Sequence, residues 1–217
     1  MRAFIYGIFL VSALTSVAQS APLSEAELKN LLAAIRQNRT TQADFEEQRV
    51  IRLMKKPVLS SGTVWFQPPN KFRREVKGNS PSVSVSDGRD LWIYYPNFRS
   101  AERYPLGKGS PLDATVTAIN SALNLENIET SFNITATRTE NGYELQLLPR
   151  STAMKRVFQK LDLRINEKFR VERTDMLVPN GERIVTTYSN QTRTPIPPST
   201  FEFKPPAGTE VTTPLGQ

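Results

Sequence analysis

Val83-Ser84-Val85-Ser86-Asp87-Gly88-Arg89-Asp90-Leu91-Trp92-Ile93-Tyr94-Tyr95 reads as two strands and the turn between them. Val83 to Ser86 and Leu91 to Tyr95 are rich in the β-branched and aromatic residues that strands favour, and Asp87-Gly88 breaks the pattern. Side chains alternate across a strand, so Trp92 and Tyr94 share one face while Leu91, Ile93 and Tyr95 share the other.

The same grammar extends in both directions. Gly62 to Phe66, Tyr143 to Leu148 and Arg183 to Tyr188 read as further strands, and Leu161, Leu163 and Ile165 alternate with Asp162 and Arg164. Pro68-Pro69-Asn70, Pro96-Asn97, Asn141-Gly142 and Pro179-Asn180-Gly181 punctuate them. Asn-Gly supplies the positive φ angles that a tight hairpin requires. A row of hairpins predicts one large antiparallel sheet, curved or partly closed. The Pro-rich tail from Pro195 reads as an extended edge segment with Phe201 and Phe203 pinned inward.

Two stretches follow helical periodicity instead. Ser24-Glu25-Ala26-Glu27 is a capping box, and Leu28, Leu31, Leu32 and Ile35 then form one apolar face. Leu112 to Leu125 places Leu112, Val116, Ile119 and Leu123 at helical spacing behind Pro111. At the start, Met1-Arg2, the apolar run to Leu14 and Ala18-Gln19-Ser20 are expected to form an export signal. Residues 21–217 are then expected to form one domain of ordinary size.

Composition removes whole classes of chemistry. The 217 residues include no cysteine and no histidine, so no thiolate nucleophile, disulfide or Ser-His pair exists. Gly107-Lys108-Gly109 lacks the spacing of a phosphate loop. Glu46 and Glu47 point to opposite strand faces and cannot share a substrate, and Asp87 belongs to a turn. An enzyme is not expected. The net charge of +7 invites a nucleic-acid reading, with Lys55-Lys56, Arg73-Arg74 and Arg99/Arg103 near aromatics. The cations are spread along the chain, however, and solvated faces, or attraction to anionic lipid and an acidic partner, fit an exported protein better.

Read in order, Ser61-Gly62-Thr63-Val64-Trp65-Phe66, Pro69-Asn70-Lys71-Phe72-Arg73 and Val85 to Tyr94 with Pro96 resemble the LolA family of periplasmic outer-membrane lipoprotein carriers. Phe45-Glu46-Glu47-Gln48 resembles that family's Phe-x-Gln strand with a one-residue shift. Phe201-Glu202-Phe203-Lys204-Pro205-Pro206-Ala207-Gly208-Thr209-Glu210-Val211 is similar to its terminal Phe-x-Phe-x-Pro-Pro-x-Gly-x-x-Val.

The resemblance implies an incomplete, strongly curved antiparallel barrel, mainly β, with amphipathic helices as a lid over an apolar cavity. It implies a monomeric carrier of Gram-negative periplasm with no cofactor and no nucleic acid. Its cargo would be acylated lipoprotein, loaded by an inner-membrane ABC-type release complex and delivered to a lipid-anchored outer-membrane receptor. Two alternatives stay open: a LolA-like paralogue carrying another lipid or lipid-linked product for a dedicated exporter, and a periplasmic sensor on the same fold. Trp65, Phe72, Trp92 and Tyr94 are expected to line the cavity, with Leu28, Leu32, Ile119 and Leu123 contributed by the lid.

Two residues depart from the archetypal pattern. Pro68 stands where the family has an arginine that bonds lid carbonyls, and Arg74 stands where it has a tryptophan. Arg74 shares a face with Phe72. It either snorkels to solvent at the rim, replaces the missing lid arginine, or meets a polar head group of the cargo.

Overall fold

A computed structural model describes residues 21–68, 70–106 and 128–214. The expected export signal, the expected helix at Leu112 to Leu125 with Ile119 and Leu123, and Pro69 lie outside those residues. Helix α1 (Glu25–Gln37) begins as the sequence predicts. The Ser24 amide donates to Glu27 Oε2 at 2.8 Å and the Glu27 amide donates to Ser24 Oγ at 3.4 Å, satisfying two of the donors a helix start leaves free. Short helices α2 (Ile128–Ser131) and α3 (Thr152–Lys155) follow later.

Most of the other described residues lie in strands. The strands are β1 (Gln42–Val50), β2 (Val58–Gln67), β3 (Lys71–Lys77), β4 (Ser82–Ser86), β5 (Asp90–Tyr95) and β6 (Ser100–Pro105), then β7 (Phe132–Thr139), β8 (Gly142–Pro149), β9 (Lys160–Asn166), β10 (Val171–Leu177), β11 (Arg183–Thr192) and β12 (Glu210–Thr212). They form one twelve-stranded sheet in the order β12-β6-β5-β4-β3-β2-β1-β11-β10-β9-β8-β7. Two meanders, β1–β6 and β7–β11, are thus joined by the antiparallel β1–β11 pair, and among the described strands only β12 pairs parallel, on β6. The sheet does not close. Its β7 edge receives the Leu23 amide on the Ala136 carbonyl at 2.8 Å, and its β6 edge is capped by β12. Both edges are therefore blunted against stray pairing.

The register divides the sheet into two faces. The inner one carries α1: Leu31, Leu32 and Ile35 pack with Phe132, Ala136, Leu145, Leu147, Leu161, Leu163 and Ile165 of β7–β9. The outer face of β3–β6 is packed by the tail. Phe203 lies 5.6 Å from the ring centroids of both Trp92 and Tyr94, Arg73 donates to the Thr200 carbonyl at 3.2 Å, and Phe201 is buried. Val85 and Ala101 are buried on this same outer face. The tail therefore crosses the sheet as cover and becomes an edge strand only at Glu210.

The opening turn shows why its residues suit it. Gly88 has φ +92, a region L side chains rarely adopt. The Asp87 carboxylate accepts the amides of Arg89 at 2.7 Å and Asp90 at 2.8 Å. Burial works to raise the Asp87 carboxyl, but those two amides and the Arg89 charge outweigh it and hold it below the ordinary carboxylate range.

Candidate functional site

The inner face of β1–β5 and β11 surrounds a cavity of about 290 Å³. Phe45, Val64, Phe66, Phe72, Leu91 and Ile93 give it an apolar wall, and Glu47, Arg74, Ser84, Thr186 and Tyr188 add polar atoms. β5 and β11 are five strand steps apart, about 24 Å across a flat sheet at the usual interstrand spacing. For both to line one hollow of this volume the sheet must bend strongly around it. A second, smaller hollow shares Phe66 and Tyr188 and runs beneath Ile35 and Asn38 at the end of α1.

β2 makes room for the polar centre. Its inner residues near the middle are Ser60 and Gly62, flanked by β1 and β3. A Cβ on Gly62 would stand 1.8 Å from the Glu75 carbonyl oxygen and 3.0 Å from the Phe45 ring. Glycine therefore lets β3 approach and lets Phe45 lie over its backbone. Across this gap Arg74 of β3 reaches β1: its Nη2 donates to Glu47 Oε2 at 2.9 Å, and its guanidinium sits 4.3 Å from the Phe45 ring centroid. The Thr186 hydroxyl, opposite Glu47 in the β1–β11 register, donates to the same oxygen at 3.3 Å. The Arg74 and Glu47 side chains are 30% and 21% exposed, so the pair is neither a surface bridge nor a sealed one. A planar, weakly hydrated guanidinium suits this position because one face stacks on the ring while its edge meets the carboxylate. Burial pushes the Tyr188 phenol up, against opposing effects of Thr174 and Arg74, so it stays a neutral hydroxyl.

Phe72 and Arg74 thus lie in the hollow. Trp65, Trp92 and Tyr94 do not, and those expectations are corrected. Phe66 pairs with Phe72, which turns Trp65 to the outer face, where its indole donates to Gln42 at 3.0 Å. Trp92 and Tyr94 turn outward to Phe203, and their strand neighbours Leu91 and Ile93 take the inner positions. Leu28 and Leu32 belong to the packing of α1 on β7–β9 rather than to the wall around Phe72 and Arg74. Ile119 and Leu123 fall outside the described residues. Phe45, Glu47, Phe66 and Tyr188 were not among the expected wall residues, although Phe45 and Glu47 share a strand face in the sequence itself. Among the described residues no group of three or more acidic side chains is arranged to hold a metal ion, and no helix is long and apolar enough to cross a membrane.

The arrangement is an open, mainly antiparallel half-barrel that keeps an apolar hollow on its concave face. The family model described as outer membrane lipoprotein carrier protein LolA matches residues 36–204, and the chain belongs to the LolA family. An outer-membrane lipoprotein carrier protein of Coxiella burnetii (strain CbuK_Q154) is 27% identical over 213 residues, covering 95% of this chain and 94% of that protein. One from Dechloromonas aromatica (strain RCB) is 28% identical over 184 residues, covering 82% and 83%. Among solved structures, an uncharacterized conserved protein from Thermus thermophilus is similar in fold, with a TM-score of 0.53 at 16% identity, covering 86% of this chain and 99% of that one.

Proposed function

We propose that the protein is a periplasmic carrier that holds the acyl chains of lipoproteins in the inner-face hollow and moves them from the inner to the outer membrane. The observation that carries this reading is the apolar wall of Phe45, Val64, Phe66, Phe72, Leu91 and Ile93 on the concave side of an unclosed sheet. At about 0.8 kcal/mol per buried methylene, an acyl chain leaves a bilayer only if other apolar surface replaces it. An open half-barrel offers that surface and can spread or narrow without breaking a closed hydrogen-bond ring. An inner-membrane ATP-driven release complex and a lipid-anchored outer-membrane receptor are the partners this role requires. The role calls for no bond-breaking chemistry and no cofactor.

The Arg74–Glu47 pair favours a second reading, a LolA-like paralogue whose cargo is a lipid bearing a polar group. A hollow for acyl chains alone gains nothing from two charges in its wall, whereas a hydroxyl, carboxylate or phosphate on the cargo would find donors and an acceptor there. Mass spectrometry of what co-purifies with the protein from its native periplasm separates the two. Polypeptides acylated at the N-terminus support lipoprotein carriage. A lipid without attached polypeptide overturns it in favour of the paralogue.

A further inference from the structure

Ile51-Arg52-Leu53-Met54-Lys55-Lys56-Pro57 joins β1 to β2, closed by the Met54 amide on the Ile51 carbonyl at 2.9 Å. Hairpin tips ordinarily carry polar turn residues. Here Leu53 is 95% exposed, Leu59 69% and Met54 52%, with Val50 and Val58 close behind. Single exposed apolar side chains are normal, but five of the eight large ones exposed among the described residues fall between Val50 and Leu59. The same stretch carries cations with no acidic residue beside them in sequence. Between Glu47 and Ser60 there is no acidic residue, while Arg49, Arg52, Lys55 and Lys56 are present. Glu182 engages Arg49, and Arg52, Lys55 and Lys56 stand exposed around the two apolar residues at the apex.

We propose that this hairpin tip docks the protein on the anionic surface of a membrane. The charge pattern selects that occupant. Leucine and methionine at the apex of a projecting finger enter the boundary between head groups and acyl chains, and lysine and arginine beside them meet lipid phosphates. Leu53, Met54, Lys55 and Lys56 at the apex line neither the hollow nor the depression at the tip's base, and the cations would repel a second copy of the tip. The placement also has a consequence for transfer. A depression at this end of the sheet, lined from both faces by residues that include Glu46, Glu47, Arg49, Val58, Leu59 and Val76, shares Glu47 with the hollow and extends to the base of the tip. Docking by the tip therefore turns that end of the sheet, with the Glu47 end of the hollow, toward the bilayer.

The test is co-sedimentation of the purified protein with vesicles of phosphatidylcholine, with and without phosphatidylglycerol, over a range of salt. The measurement needs no cargo, so its outcome is independent of what the hollow carries. The wild-type protein is expected to bind only the anionic vesicles and to release as salt rises. Two double substitutions at exposed positions, Leu53→Ser with Met54→Ser and Lys55→Ser with Lys56→Ser, are each expected to weaken binding by roughly tenfold or more. Their urea midpoints should match the wild type. Absence of binding to anionic vesicles overturns the proposal, as does binding that neither double substitution weakens. Self-association that the Leu53/Met54 variant abolishes, without vesicle binding, would assign the tip to a second copy instead.

Discussion

Replacing Arg74 by methionine isolates the contribution of the charge pair inside the hollow. Methionine keeps an apolar stem over the Phe45 ring but leaves Glu47 with the Thr186 hydroxyl at 3.3 Å as its remaining side-chain hydrogen bond. Exposed ion pairs contribute about 0–1 kcal/mol, and breaking a buried one costs about 3–5 kcal/mol. With side chains 30% and 21% exposed, this pair falls between those regimes, and the lost stacking adds to it. The expected loss is about 2 kcal/mol, which lowers the melting temperature of a chain this size by about 4–8 °C. Urea unfolding followed by tryptophan fluorescence reads it well, because Trp65 and Trp92 both lie on the outer face, away from the change. Arg74→Met combined with Glu47→Leu removes both charges together and should return to within about 1 kcal/mol of the wild type, since apolar replacements of a pair are often neutral. The double variant should also bind a fluorescent fatty acid more tightly than the wild type. If Arg74→Met lies within about 0.5 kcal/mol of the wild type, or the cycle is additive to that margin, the pair is solvated and the reasoning from burial fails.

Phe72→Ala should weaken fatty-acid binding by roughly tenfold or more, whereas Trp92→Ala should leave it unchanged while costing about 2–3 kcal/mol of stability, as titration and urea unfolding would read. Gly62→Ala should cost about 3 kcal/mol or more, because its Cβ meets backbone of β3 at 1.8 Å and the strands must part; soluble yield and urea midpoint report it. Asp44, held down by Asn190 and Thr63, Glu182, held down by Arg49, and Asp87 all sit below the ordinary carboxylate range when folded. Their stabilisation is present above the unfolded pKa and is lost as pH falls through the folded one, so the urea midpoint should hold to about pH 5 and decline below about pH 4. Asp44→Asn should flatten part of that decline.

The strand grammar is legible because it is local. Turn dipeptides and period-two alternation fix where a strand starts and which residues share a face. They do not say which face looks inward, since that depends on register and on distant segments. Trp65 and Phe72 cannot both face the hollow once Phe66 pairs with Phe72, a conflict that only the β2–β3 register exposes. Trp92 is the natural wall residue by size, and Leu91 the actual one, because Phe203, more than a hundred positions later, takes Trp92 as its packing surface. In the sequence Glu47 reads as half of an unproductive carboxylate pair with Glu46. Opposite faces do separate those two, and that same separation delivers Glu47 alone to Arg74, two strands away.

Two segments settle what each half of the sheet is for. Helix α1 fills the inner face of β7–β9 and so turns that half into core. The tail with Phe201 and Phe203 covers the outer face of β3–β6, where Val85 and Ala101 are buried. The inner residues of β3 and β5 are half-buried, whereas Ser86 of β4, opposite Phe72, is fully buried. Among the described residues, the hollow thus lies over the half whose outer face the tail covers. It follows that removing the tail's anchor, as in Phe201→Ala, should loosen the wall carrying Phe72, Leu91 and Ile93 while the α1 core stays formed. Amide exchange would show this as faster opening of β3–β5 than of β7–β9, and equal acceleration in both halves would refute it.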